Sequence, residues 1–146
     1  MNIALIAHDS KKELMVQFCI AYYNTFVKHN LSGTGITGKL VEDATGLTIK
    51  KYLSGSQGGV QQIIAEIQCN EIDVLFFFRD PFNTREEVRP DDINVLRICD
   101  EHTIPLATNI ATGEALIHAL ERGDLDWREI ERENLKEAEK QSRRGF

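Results

Sequence analysis

Only three of the 146 residues are cysteines, Cys19, Cys69 and Cys99, widely spaced and odd in number. That excludes a disulfide scaffold and predicts free thiols in a reducing, cytoplasmic setting, none of them placed as a nucleophile or ligand. There is no Cys-x-x-Cys, no His-Glu-x-x-His and no acidic calcium loop, so the reading calls for neither metal nor cofactor. The glycines form neither a Walker loop nor a dinucleotide fingerprint, and no Ser-His-Asp arrangement can be built. An excess of positive charge is also missing. The formal net charge of -6 argues against a broad nucleic-acid surface, although a local basic pocket can still hold a small anion. Long apolar runs are absent too: the opening MNIALIA is short, has no basic lead and stops at His8 and Asp9, which predicts a strand and neither a leader nor a membrane span. No repeat, low-complexity tract or linker appears.

What is present is the composition of one folded domain, 42% hydrophobic and 27% charged, long enough to bury a core without staples. Aliphatic residues over 2–7 predict a strand covered on both faces. Leu14, Phe18, Ala21, Tyr22, Thr25 and Phe26 recur at spacings of three and four, which predicts one amphipathic helix over 11–29, capped by Asp9 or Ser10. A second strand at 31–34 leads through GITG into a helix that stops at Gly46. A third strand at 47–53 is followed by a helix over 58–69. IDVLFFF at 72–78 is the clearest buried strand. A helix over 91–102 and a last strand at 105–108 precede a helix starting near Thr112. Five strands alternating with helices predict an α/β, single-domain, three-layer sandwich around a doubly wound five-stranded parallel sheet. Residues 1–122 form its body, and the charged residues 123–146 a mostly helical tail. Leu125, Trp127 and Ile130 are the expected anchors of that tail, and Arg97, Arg143 and Arg144 are candidates for intersubunit contacts.

Ligands of an open parallel sheet bind at the carboxyl ends of the strands. That edge receives His8, Asp9 and Lys12 from strand one, and Thr34, Gly35, Ile36 and Thr37 from strand two. Strand three adds Ser54 and Gly55, strand four Asp80, and strand five Thr108, Asn109 and Thr112. Gly, Ser and Thr also make ordinary turns and caps, so one loop alone says little. Three loop-to-helix junctions on one edge, with Lys12 beside them, predict an anion site built from backbone N–H groups and helix dipoles. His8 reads equally well as a structural or a catalytic histidine. His29, His102 and His118 read as surface residues.

These pieces together resemble the methylglyoxal synthase family: IALIAHDSKK at 3–12, GTGITG at 33–38, ATGL at 44–47, LSGSQGGVQQI at 53–63, IDVLFFFRDPFN at 72–83 and IPLATNIAT at 104–112. The resemblance implies that dihydroxyacetone phosphate binds with its phosphate against Lys12, Thr34, Gly35, Thr37, Ser54 and Gly55, with His8 near the reacting end. It also implies a homohexamer regulated by phosphate. A carboxylate would remove a carbon-bound proton, an ene-diolate would form and phosphate would leave. Three positions depart from the family pattern. Val60 stands where the family has its catalytic aspartate, TREEVRPDD at 84–92 lacks the family's substrate-touching histidine and carries one extra residue, and Ile36 replaces a threonine of the phosphate loop. Losing a positioned base removes a factor of about 10² to 10⁴ in rate. Asp9, Asp80 and Asp91 are the candidate substitutes, with Asp92 an alternative register for Asp91 and Glu86 and Glu87 further carboxylates nearby. The resemblance therefore implies either a lyase with a replaced base or a regulatory module that binds phosphometabolites without the lyase step.

Overall fold

The computed structural model describes residues 1–82 and 90–144. Five parallel strands form one sheet: β1 (Asn2–Ala7), β2 (Asn30–Gly33), β3 (Ile49–Lys51), β4 (Val74–Phe78) and β5 (Leu106–Ala107), in the order β3-β2-β1-β4-β5. The strands number outward from β1 in both directions, so the winding reverses between β1 and β4. Register pairs Leu5 with Gly33 on one side of β1 and with Phe76 on the other. This is the doubly wound sandwich that the strand count and spacing predict.

Side chains of successive strand residues point to opposite faces, and the sequence loads both. Ile3, Leu5, Val74, Phe76 and Phe78 enter one apolar cluster, while Ala4, Ile6, Leu75 and Phe77 enter the other. The first face is covered by α1 (Lys12–Ala21), α3 (Gly35–Thr45) and α6 (Ile110–Arg122), the second by α4 (Gly59–Gln68) and α5 (Pro90–Glu101). Burying each phenylalanine of β4 beside the central β1 contributes about 1.5–3 kcal/mol to the two cores.

Two local expectations are corrected. The helix over 11–29 is broken: α1 ends at Tyr22 (φ -110°, ψ 28°), and a short α2 (Tyr23–Phe26) follows. The break lets Phe26 stack edge-on with Phe18 and Phe76 and brings Thr25 Oγ1 to Glu121 of α6. Neither Asp9 nor Ser10 caps α1 with its side chain. Both lie in a single 3₁₀ turn, Asp9–Lys11, and bond elsewhere.

The last helix, α7 (Trp127–Arg144), is anchored differently from its expectation. Leu125 does pack on the core, but Trp127 and Ile130 are 46% and 60% exposed. Arg128 and Arg132 hold the helix instead, reaching the fully buried Asp73 at the amino-terminal end of the sheet. Cys19 and Cys99 are buried and Cys69 exposed, all reduced; burial pushes the Cys19 and Cys99 thiols up to about 12, which keeps them unreactive. Among the described residues no helix is long and apolar enough to cross a membrane.

Candidate active site at the carboxyl edge of the sheet

The crevice where the winding reverses lies between the ends of β1 and β4, and His8 fills it. Its backbone N–H donates to Phe78 O at 3.0 Å, and its ring meets Phe77 edge-on at 5.4 Å. The Asp80 backbone N–H donates to His8 Nδ1 at 2.8 Å. A backbone N–H can only donate, so Nδ1 is an acceptor and the neutral ring carries its proton on Nε2. Nε2 lies 3.0 Å from Asp92 Oδ2. The ring is thus fixed at both nitrogens, one by main chain and one by a carboxylate.

The acids of this edge differ in what they are free to do. Asp9 is 97% exposed in its side chain and lies 2.6 Å from Lys12 Nζ, which also donates to Ala7 O at 3.0 Å. Asp80 accepts from Ser10 Oγ and from the Phe82 N–H, both at 2.8 Å. The Ser10 hydrogen bond, followed by that of Phe82, holds the Asp80 carboxyl below its ordinary value and makes it a poor base. Asp91 is half-buried, and it is Asp92 that meets His8. Asp92, Val95 and Cys99 share one face of α5, and the two apolar members of that stripe pack on the sheet. That spacing was the available signal for choosing Asp92 over Asp91. Glu86 and Glu87 lie outside the described residues.

Two of the phosphate-loop junctions are joined by main-chain hydrogen bonds at the end of β1. The Thr34 N–H donates to Leu5 O and the Gly35 N–H to Leu53 O at 3.0 Å, which ties the second and third junctions together at the end of β1. A Cβ at Gly35 would lie 2.8 Å from Tyr52 O and 3.3 Å from Ser54 N, so glycine permits this approach. Thr34 is the N-cap of α3; its carbonyl accepts the Gly38 N–H at 2.8 Å but its side chain makes no cap hydrogen bond, and Thr37, in the first turn and 1% exposed, has no hydrogen-bond partner for Oγ1. A buried hydroxyl left unpaired costs about 1–3 kcal/mol. Ile36 is exposed beside it. Ser54 Oγ lies 3.5 Å from Ser56 Oγ at the start of the 3₁₀ turn Gly55–Gln57. Asn109 belongs to the turn-and-cap class: its Oδ1 accepts the Thr112 N–H as the N-cap of α6. The sequence offers Ser10 only as a cap, and nothing in it signals the bond to Asp80.

Val60 is 6% exposed and belongs to the apolar cluster of Ala4, Ile6, Ile63 and Ile67. It underlies the third junction: a Cβ at Gly55 would sit 3.7 Å from Val60 Cγ2. Among the described residues no three His, Cys, Asp or Glu side chains cluster to hold a metal ion.

Fold and edge together define an open α/β protein with loop-to-helix junctions along the carboxyl edge of its sheet, on one side of the topological switch point. The chain belongs to the methylglyoxal synthase family: the MGS-like domain matches residues 14–108. It is 59% identical to the methylglyoxal synthase of Caldicellulosiruptor saccharolyticus over 130 residues, covering 89% of this chain and 92% of that protein. The methylglyoxal synthase of Thermoanaerobacter sp. strain X514 is 56% identical over 131 residues, covering 90% and 98%. The crystal structure of methylglyoxal synthase from Elizabethkingia anophelis NUHP1 superposes with a TM-score of 0.72 at 35% identity, covering 80% of this chain and 76% of that one.

Proposed function

We propose that this protein converts dihydroxyacetone phosphate to methylglyoxal and inorganic phosphate as a carbon-oxygen lyase of the cytoplasm, assembled as a homohexamer. The observation that carries the reading is the start of α3, which no side chain caps, where the buried Thr37 hydroxyl lacks a partner and Gly35 N–H ties the turn to the Leu53–Ser54 junction. A phosphate seated there gives the hydroxyl an acceptor and meets the positive end of the helix dipole. Lys12, now shared between Asp9 and Ala7 O, turns to the phosphate and neutralises part of its charge.

Purified protein given dihydroxyacetone phosphate is expected to release methylglyoxal and phosphate in equal amounts. Thr37→Val tests the cradle through effects of opposite sign. Removing an unpaired buried hydroxyl raises stability by about 1 kcal/mol, while losing a donor to the ligand weakens phosphate binding severalfold. Calorimetry and urea unfolding read the two effects; a variant that binds phosphate unchanged places the anion elsewhere. Lys12→Ala is expected to raise the Kd for phosphate and the KM for the triose phosphate about tenfold or more, since a charge-assisted hydrogen bond is worth about 1.5–3 kcal/mol.

A second reading, a phosphometabolite-binding module without lyase chemistry, is favoured by the apolar packing of Val60 at the position of the family's base. An inert wild type that binds phosphate, and whose Val60→Asp variant gains turnover, would establish it. Light scattering of the purified protein tests the hexamer.

A further inference from the structure

We propose that Asp92, held by His8, is the group that removes the carbon-bound proton in this chain. The inference rests on the methylglyoxal synthase reading. Among the described carboxylates of the edge, the others are each unsuited. Val60 cannot accept a proton and is packed with Ile63 and Ile67. Asp9 is solvated and bound to Lys12, and both Asp80 oxygens already accept hydrogen bonds. Asp92 differs on each count: it is buried, its Oδ2 takes one donor among the described residues, the neutral His8 ring, and that donor cannot turn away because Asp80 N–H grips the opposite nitrogen.

Position agrees with chemistry. His8 follows β1, α3 follows the neighbouring β2, and the Thr34 N–H at the start of α3 still donates to Leu5 O of β1. Neighbouring strands lie about 5 Å apart, so the His8–Asp92 couple stands one strand from the phosphate cradle, within the reach of a three-carbon substrate.

Asp92 takes a proton from the hydroxymethyl carbon; the C–H pair becomes the C=C bond of the ene-diolate and the carbonyl pair moves to oxygen. A carbonyl then forms at the former hydroxymethyl carbon as its hydroxyl proton leaves for phosphate. The double bond shifts to the other carbon pair, and the C–O pair departs with the phosphate. Asp92 returns its proton to the terminal carbon, whose C=C pair takes it to make the methyl group while the pair on the central oxygen re-forms the carbonyl. His8 is a positioning residue in this scheme.

The test compares Asp92→Asn with Asp91→Asn in the full-length protein, using ordinary dihydroxyacetone phosphate and substrate deuterated at the hydroxymethyl carbon. Asp92→Asn is expected to lose about 10²- to 10⁴-fold in kcat with KM changed less than threefold and with a larger primary isotope effect. The His8 Nε2–H resonance, read by nitrogen-15 NMR, is expected to move upfield in the variant and to be absent from Nδ1 in both proteins. An active wild type in which Asp92→Asn turns over within tenfold of normal, or in which Asp91→Asn loses as much, overturns the assignment and leaves the lyase reading standing. A proton found on Nδ1 overturns the fixed ring. A wild type inert toward dihydroxyacetone phosphate overturns the lyase reading and the assignment with it. If Asp92→Asn unfolds, Asp92→Glu serves: a retained carboxylate on a longer stem is expected to keep more turnover than His8→Gln, and equal losses overturn the proposal.

Discussion

Asp73→Ala is expected to cost about 3–5 kcal/mol of stability, the loss characteristic of removing one partner from a buried charge pair. Asp73 is fully buried just before β4, where Oδ2 accepts the Asn2 N–H at 2.8 Å and Oδ1 faces Arg132 and, at 3.5 Å, Arg128 Nε. Both guanidinium groups have further acceptors: Thr103 O at 2.9 Å for Arg128 and Asn70 O at 3.1 Å for Arg132. Deleting the carboxylate leaves two cations in a pocket lined by main chain and uncovers the start of β1. Urea unfolding should show a lower midpoint with an unchanged slope. The double variant Asp73→Ala/Arg132→Met is expected to recover part of the loss, because it also removes one of the stranded charges. A loss below about 1 kcal/mol for the single variant would mean that α7 does not dock in solution, since only a solvated pair is worth so little.

That anchor was hidden in the sequence for a physical reason. Asp73 and Arg132 are 59 residues apart, and an arginine inside WREIERE reads as part of a solvated face. The stripe of Trp127 and Ile130 pointed to an apolar attachment, whereas the helix attaches through its charged face. Features set by local pattern were legible. The run VLFFF declares a buried strand because each residue meets an apolar cluster on one face or the other, and the αL glycine at 46 ends α3 where the pattern stops. The break at Tyr22 was not legible, since the apolar spacing continues through it and only the packing of Phe26 against Phe76 demands the turn. At the candidate site the strand ends gave His8, Lys12, Thr37 and Ser54 from order along the chain alone. Choosing Asp92 over Asp91 depends on the rotation of α5, which the spacing from Val95 and Cys99 carries, because a one-residue shift on a helix turns a side chain by about a quarter of a circle.

The other large effect is expected at Gly59. A Cβ there would stand 1.9 Å from Leu53 O, 2.8 Å from Leu53 C and 2.9 Å from Ser54 O, all main-chain atoms with no rotamer to give way. The contact is close because Gly59 N–H donates to Ser54 O at 2.9 Å, folding the third junction back on the start of α4, while the left-handed Gly58 (φ 100°) supplies the reversal. Gly59→Ala must therefore push the 53–55 segment away from the helix, at about 3 kcal/mol or more. The damage should not stay local. Leu53 O is also the acceptor for Gly35 N–H, so displacing it loosens the second junction together with the third. Stability and phosphate affinity should fall together in Gly59→Ala, whereas Asp73→Ala, at the far end of the sheet, should lower stability and leave the phosphate Kd of the folded protein within about twofold. Calorimetric titration with phosphate below each variant's unfolding temperature separates the two cases. If Gly59→Ala binds phosphate as the wild type does, the cradle does not depend on the packing of Leu53 and Ser54 over α4, and the two junctions act apart.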